Sequence, residues 1–351
     1  MPSAFDYNPT VDSIDEAMVM QRLHAKPRGH LGMSSIADDA RTLWLGFRWS
    51  LPDNYDGRLL RIFELGDRIE DMLAEKLRMA GFVLHTHDAQ GGQFRFSEHG
   101  GHYAGSMDGA IKGLAESDQW HVWECKSVNT KRFQKLKADG VERWSPVYYG
   151  QMQCYMHQSG MTRALFMAMD KDNSELYTER VKIDPMFGPA MSTKALAIIT
   201  EDIPESTYRD RSWYEIKNYK SQQYQRVYWG DELPPAKNCR NCRFAVADVS
   251  QPGAHWHCLQ KQRLISLDEQ IAGCEQHNFI PSLMPAEQIS IDGVSVTYRH
   301  SQGFEFTNGP AGYSSDELIQ LSQHDFPEEF MKDVEVFRVE FDARIDQVDA
   351  A

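Results

Sequence analysis

Apolar and polar positions follow two rhythms along this chain, and each change of rhythm marks an element. Residues from about 12 to 81 keep the helical period, most clearly over Leu59 to Met79. There Ile62, Leu65, Ile69, Met72 and Leu73 recur three or four apart, ahead of an Ala80-Gly81 stop. From Phe82 to Ser127 the rhythm shortens to that of strands, with turn signals at Gln90-Gly91-Gly92 and Asp108-Gly109. Pro146 then opens a helix, PVYYGQMQCYMHQSG, which Gly160 ends. The runs ALFMAMD and ELYTERVKI around a polar KDNS turn predict a hairpin, and two more helical stretches reach Trp229. After the linker GDELPPAK come a cysteine-bearing section, a hairpin (ISIDGVSVTYRH with GFEFTNG) and a short helix begun by Ser314-Ser315. The expected organisation is therefore an α/β domain over residues 1–232, a cysteine module over 233–283 and a closing section over 284–351. There is no internal repeat and no low-complexity segment.

Composition narrows the function classes. A chain of 351 residues is long enough for one large domain with a sizeable core and a smaller companion. Hydrophobic residues make up 41%, yet no apolar run approaches the roughly 18 residues of a membrane span. The opening MPSAFDYNPTVDSIDEAM lacks the basic and apolar regions of a signal peptide. With cysteines clustered rather than spread as a framework, the expected setting is a reducing cytoplasm. A net charge of −14 argues against a general polyanion binder. Basic residues nevertheless bunch at Lys126, Lys131, Arg132, Lys135, Lys137 and Arg143, either as a solvated helix face or as a track for a nucleic-acid backbone.

The densest chemistry lies in MDGAIKGLAESDQWHVWECK, Met107 to Lys126. On a strand, Val122, Glu124 and Lys126 share one face while His121, Trp123 and Cys125 share the other. Asp108 belongs to GHYAGSMDGAI, which reads as a neighbouring antiparallel strand ending at the Asp-Gly turn. Two carboxylates and an ammonium would then converge, a donor set suited to Mg²⁺ or Mn²⁺. Glu-x-Lys by itself is weak, since about one copy is expected by chance in a chain of this kind. Glu215-Ile216-Lys217 is such a copy, in a stretch where Trp213, Ile216, Tyr219, Gln223 and Val227 recur at helical spacing. Glu70 borders the apolar stripe of the long helix, with Gly66 one turn earlier; Gln151 and Tyr155 lie one turn apart on the Pro146 helix.

Taken in order, Glu70 after GDRI, Asp108-Gly109, Glu124-x-Lys126 and Gln151-x-Gln153 with Tyr155 resemble the PD-(D/E)XK nucleases. Within them the set is similar to the lambda-type phage exonucleases and RecB-type nuclease domains, over roughly residues 25 to 185. The resemblance implies a restriction-endonuclease-like mixed sheet flanked by helices and a metal-dependent deoxyribonuclease. Asp108, Glu124 and the main-chain carbonyl of Cys125 would hold Mg²⁺ or Mn²⁺, with Glu70 completing the shell. Lys126 would position or deprotonate the attacking water, Gln151 would orient it, and Tyr155 completes the motif. In KPRGHLGMSSIADDARTLWLGFR, Arg28 and Ser35 match residues that hold a DNA 5′-phosphate in lambda-type enzymes, and Arg41 is a second basic candidate. The alternative for Ser34 or Ser35 is an N-cap of the helix IADDARTLWLGF. Lys131 and Arg132 are the nearest candidates for the DNA backbone. The implied substrate is linear double-stranded DNA, cut from its ends in phage or prophage recombination or repair, in the host cytoplasm if phage-encoded. The implied partner is a single-strand annealing protein, and a homo-oligomer is also in keeping with the family. Rival readings are an endonuclease or single-strand exonuclease on the same core, and a catalytically silent DNA-binding or assembly subunit.

Four of the six cysteines follow the linker: Cys239-x-x-Cys242, Cys258 and Cys274, the last two each separated from the cysteine before by fifteen residues. Four thiolates close a tetrahedral structural zinc site and leave no open position for catalysis. His255, His257 and His277 lie close enough in sequence to replace a cysteine. A 4Fe-4S cluster is the alternative, but relatives that carry one take a ligand ahead of the nuclease core. Here no cysteine precedes Cys125, and Ala40 stands in the ADDARTLW segment. Cys125 and Cys154 read as buried, inert thiols, and the pairs His85/His87 and His99/His102 as packing or surface residues.

Overall fold

The protein is described from a computed structural model, which covers residues 8–23, 25–52, 55–208, 210–211, 222–310 and 312–341. The Glu215-Ile216-Lys217 copy lies outside the described residues. In chain order the helices are α1 (Pro9–Leu23), α2 (Ala40–Phe47), α3 (Gly57–Met79), α4 (Thr130–Trp144), α5 (Pro146–Ser159), α6 (Phe187–Thr200), α7 (Gln222–Trp229), α8 (Leu267–Ala272), α9 (Ser315–Gln323) and α10 (Glu328–Phe341). No described helix is long and apolar enough to cross a membrane.

The chain packs as two compact units that interleave in sequence. Unit 1 takes residues 1–37, 54–98 and 103–195; unit 2 takes 38–53, 99–102 and 196–351. Linear boundaries at 232 and 283 do not anticipate this interleaving, because short early segments join the later chain.

Unit 1 is built on a mixed five-stranded sheet of β2 (Val83–His85), β5 (Gly109–Lys112), β6 (His121–Val128), β7 (Arg163–Asp170) and β8 (Leu176–Lys182), in that spatial order. The β6–β7 pair is parallel and its neighbours antiparallel. A parallel pair needs a crossover, and α4 with α5 supplies it. A second sheet of β1 (Leu31–Gly32), β4 (Tyr103–Met107) and β3 (Phe94–Glu98) completes the unit. The run GHYAGSMDGAI is thus not one strand beside β6. It is two strands in two sheets, with Asp108 at the crossing, and the antiparallel neighbour of β6 is β5, which begins after Asp108.

One face of the five-stranded sheet is apolar. Trp123 and Cys125 of β6, Leu165, Met167 and Met169 of β7, and Ile111 of β5 pack with Ile69, Leu73 and Ala74 of α3. Register places Glu124 beside Phe166 and Lys126 beside Ala168 on the opposite face. The alternation read from the sequence therefore holds along β6. The stripe on α3 is narrower than its spacing suggests, for Leu65 and Met72 are exposed.

Local chemistry fixes the helix ends. Asp56 caps α3 by accepting from Leu59 N at 2.6 Å, and Ser145 with Pro146 opens α5. Inside α4, Gly140 takes φ 71° and ψ 162°, which breaks the helical ladder. The N–H of Val141, next along, donates instead to Glu179 Oε2 at 2.8 Å. Between Ser34 and Phe47 the sequence reading is corrected. Ser35 lies in a 3₁₀ turn (Met33–Ser35), while α2 starts only at Ala40 and is capped by Asp39, which accepts from Thr42 N at 2.8 Å.

Gly105 of β4 allows α5 to approach. A Cβ there would stand 2.8 Å from both Met33 Cβ and the Tyr155 hydroxyl. Gly105→Ala should destabilise unit 1 by about 1–3 kcal/mol, the usual cost of overpacking, seen as a lower thermal midpoint. An unchanged midpoint would show that α5 and β4 can part freely.

Unit 2 holds two small antiparallel sheets: β9 (Ala245–Ala247), β10 (Trp256–Cys258) and β11 (Arg263–Ile265), and β12 (Glu287–Asp292), β13 (Ser295–Arg299) and β14 (Glu305–Asn308). Ser314 caps α9 in a capping box with Glu317, as the Ser314-Ser315 start suggests. Arg48 and Arg240 are buried among Trp44, Phe47, Trp49 and Trp256. Phe47 O and Gln270 Oε1 accept from the Arg240 guanidinium.

Candidate active site

Strand β6 delivers Glu124 and Lys126 to one place, and the crossing between sheets delivers Asp108. Lys126 Nζ is ion-paired with Glu124 Oε1 and lies 3.9 Å from Asp108 Oδ2. Asp108 is tied down in turn, since Cys125 N donates to its Oδ2 at 3.0 Å. That bond fixes the Asp108 carboxylate against the β6 main chain, between the two residues whose side chains it meets.

Glu124 is 0% exposed, and its Oε2 has no hydrogen-bond partner. A buried carboxylate oxygen without a donor is costly, by about 1–3 kcal/mol or more when charged. Burial first, and Asp108 and Glu70 second, push the Glu124 carboxyl up to about 8, against the pull of Lys126. Glu70, half-buried on α3, is pushed up to about 7 by burial and by Asp108, with Lys126 opposing and Asp67 and Asp71 adding. Lys126 behaves in the opposite sense. Burial works against its charge, but Glu124 and Asp108 outweigh that and hold the ammonium above its ordinary pKa. Glu124, Glu70 and Lys126 thus share a field in which the lysine stays charged and the two glutamates resist ionising.

Tyr148 is a neighbour that sequence reasoning missed. Lys126 Nζ lies 5.3 Å from the centre of its ring, within cation–π range. Its signal was present: Tyr148 and Tyr155 are seven residues apart on α5 and so share a face. Trp144 follows at 5.7 Å from Tyr148, and Arg132 lies 4.9 Å over Trp144. This aromatic pair links Lys126 with the exposed first turn of α4, where Lys131 also stands.

Other candidate residues fall in different surroundings. Tyr155 is buried, and the charges of Glu124, Asp108, Lys126 and Arg28 all reach it; burial raises its phenol well above the ordinary range. Gln151 is buried on the same helix, whereas Gln153 braces the chain by donating to Lys182 O at 2.9 Å and accepting from Asp184 N at 2.8 Å. Arg28 donates from Nε to His30 Nε2 at 3.1 Å, and its guanidinium lies against Gly32. Ser35 Oγ donates to Gly32 O at 3.2 Å, so its hydroxyl closes its own turn. Arg41 belongs to unit 2, where its Nε donates to Tyr228 O at 2.7 Å.

All six cysteines are free thiols. Within unit 2, Cys239, Cys242, Cys258 and Cys274 line one cavity of about 40 Å³ together with Lys261 and His277. Burial, and then the other three thiols, push Cys239 up to about 12. His277 is committed elsewhere: Nδ1 lies 2.7 Å from Ser315 Oγ and Nε2 2.8 Å from Asn241 Oδ1. His255 and His257 are exposed. Among the described residues, no group of three or more His, Cys, Asp and Glu side chains forms a ready-made metal cage. At the carboxylates it is the Lys126 ammonium that stands with Asp108 and Glu124.

No family model matches this chain, and neither does any curated protein. Among solved structures, the alkaline exonuclease LHK-Exo from Laribacter hongkongensis is 17% identical, the likeness covering 52% of this chain and 90% of that one at a TM-score of 0.35. LHK-Exo in complex with dAMP gives 16% identity, 53% and 90% coverage and the same TM-score of 0.35. A third, SSO0001, is 13% identical over 60% of this chain and 93% of its own, at a TM-score of 0.37. Each is a distant likeness.

Proposed function

We propose that unit 1 is a metal-dependent deoxyribonuclease whose reaction centre is Asp108, Glu124 and Lys126. The observation that carries this reading is the buried Glu124, with an unpartnered Oε2 beside a second carboxylate and an ammonium. The donor set fits a hard divalent ion: carboxylate oxygens from Asp108 and Glu124, Glu70 within their field, and the main-chain carbonyl of Cys125. Bound there, Mg²⁺ or Mn²⁺ would lower the pKa of a water and neutralise charge on the phosphate.

The chain's own groups do the remaining work. Lys126 is held charged by its two acidic neighbours, so it donates a hydrogen bond to orient the attacking water instead of removing its proton. Tyr148 keeps that ammonium in place with its ring face. Gln151 orients the water from α5. Lys131 and Arg132 lie at the exposed start of α4 as partners for a DNA backbone, and Arg28 is the candidate for a 5′-phosphate.

The ordered motif set from Glu70 to Tyr155 supports the finer reading. This is exonucleolytic attack on linear double-stranded DNA in the cytoplasm, of the phage recombination type, beside a single-strand annealing protein. To test it, 5′-phosphorylated linear duplex and covalently closed circular duplex are incubated with the full chain, with Mg²⁺ and with EDTA. Loss of the linear DNA alone, and only with Mg²⁺, is expected. Nicking of the circle would replace the exonuclease by an endonuclease, and an intact linear substrate in Mg²⁺ would reject duplex ends as the target.

A further inference from the structure

We infer that unit 2 carries a second metal centre, a structural zinc ion closed by the thiolates of Cys239, Cys242, Cys258 and Cys274. It is independent of the nuclease reading and rests on how the fold gathers Cys239, Cys242, Cys258 and Cys274, which lie apart in sequence, onto one cavity.

Each thiol is placed by a separate device. Cys239 and Cys242 are the ends of a tight 3₁₀ turn, in which Cys242 N donates to Cys239 O at 3.2 Å. Asn238 locks that turn in a capping box with Asn241. Cys258 ends β10, and Cys274 follows α8 after Gly273 in the left-handed region (φ 65°). Three strands of three residues each cannot bury a core of their own, so the β9–β10–β11 sheet is of the kind that small domains hold with a metal.

The surroundings suit an anionic tetrathiolate. Lys261 N donates to Cys258 Sγ at 3.4 Å, and the main-chain N–H groups of Phe244 and Asn278 reach Cys242. Lys261 and Arg263 bring positive charge to the cluster. Cys239 Sγ donates to Glu269 O at 3.3 Å, a bond it gives up when it becomes a thiolate ligand. Both His277 nitrogens are engaged, so four cysteines and no histidine make the set. Four protein ligands leave no open position, which makes the ion structural.

The test is elemental analysis of the full chain, purified without chelator and dialysed against metal-free buffer, together with titration of its thiols. About one zinc per chain is expected, with four thiols that react only after a strong chelator has released the ion in the same proportion. Cys258→Ser should lose the zinc, and Cys154→Ser, a buried thiol outside the cluster, should retain it. The chelator release on the unaltered protein decides the matter even if Cys258→Ser fails to fold. Four freely reactive thiols with no zinc would overturn the inference, as would iron with inorganic sulfide in place of zinc.

Discussion

Glu124→Gln should abolish DNA cleavage and at the same time make unit 1 more stable. The loss of activity is expected to be about a thousandfold or more, because the change removes one of the two carboxylates of the proposed reaction centre. The gain in stability follows from what the glutamate endures in the fold. Its carboxylate is fully buried, one oxygen has no donor, and Asp108 and Glu70 raise its pKa further. An amide of the same shape removes the charge, while Lys126 keeps Asp108 at 3.9 Å. The expected gain is about 1–3 kcal/mol, a rise of several degrees in the thermal midpoint measured in EDTA. A lower midpoint would mean that Glu124 and Lys126 are chiefly a structural ion pair, since breaking a buried pair of that kind is strongly destabilising.

A second large effect concerns acid. His102 is 0% exposed in unit 2, packed edge-on against Phe47 and Trp256, with Nε2 3.0 Å from His255 O. Burial first, and the charge of Arg240 with it, lower its pKa from 6.5 to about 4; the hydrogen bond to His255 O and the charge of Asp248 oppose this without restoring it. Between those two pH values the unfolded chain binds more protons than the folded one, so unit 2 loses stability as pH falls from 6.5 to 4. Below the folded value the loss is complete and grows no further. A shift of this size corresponds to about 3 kcal/mol. His277, buried and lowered to about 3, adds in the same direction. Denaturant unfolding of the wild type and His102→Gln at pH 7 and pH 4.5 should show a clearly smaller acid loss in the variant. Equal losses would mean that His102 already becomes charged in the fold at pH 4.5.

Much of unit 1 was legible because its signals are local. Strand alternation alone divides β6 into a core face with Trp123 and Cys125 and a site face with Glu124 and Lys126. Turn and cap signals gave the end of α3, both ends of α5 and the start of α9 to within a residue or two. The crossing at Asp108 was not legible, since an Asp-Gly pair reads equally well as a hairpin turn and as the step between two sheets. Ser35 misled for a related reason. Serine favours helix starts, but Asp39 offered Thr42 N a carboxylate, and the helix began there. The clustering of Cys239, Cys242, Cys258 and Cys274 after the linker was legible, and the fold brings them onto one cavity, whereas the hydrogen bonds that engage His277 were not legible. Interleaved units are harder still, because residues 38–53 carry no local mark of the distant chain with which they pack.

The most direct test of the central claim compares wild type with Lys126→Ala on 5′-labelled linear duplex in Mg²⁺, both proteins first shown to be folded by circular dichroism. Release of nucleotides by the wild type, suppressed by EDTA and lost in the variant, is the expected result. Equal cleavage by both proteins, or none by the wild type on duplex and single-stranded DNA alike, would contradict a reaction centre built from Asp108, Glu124 and Lys126.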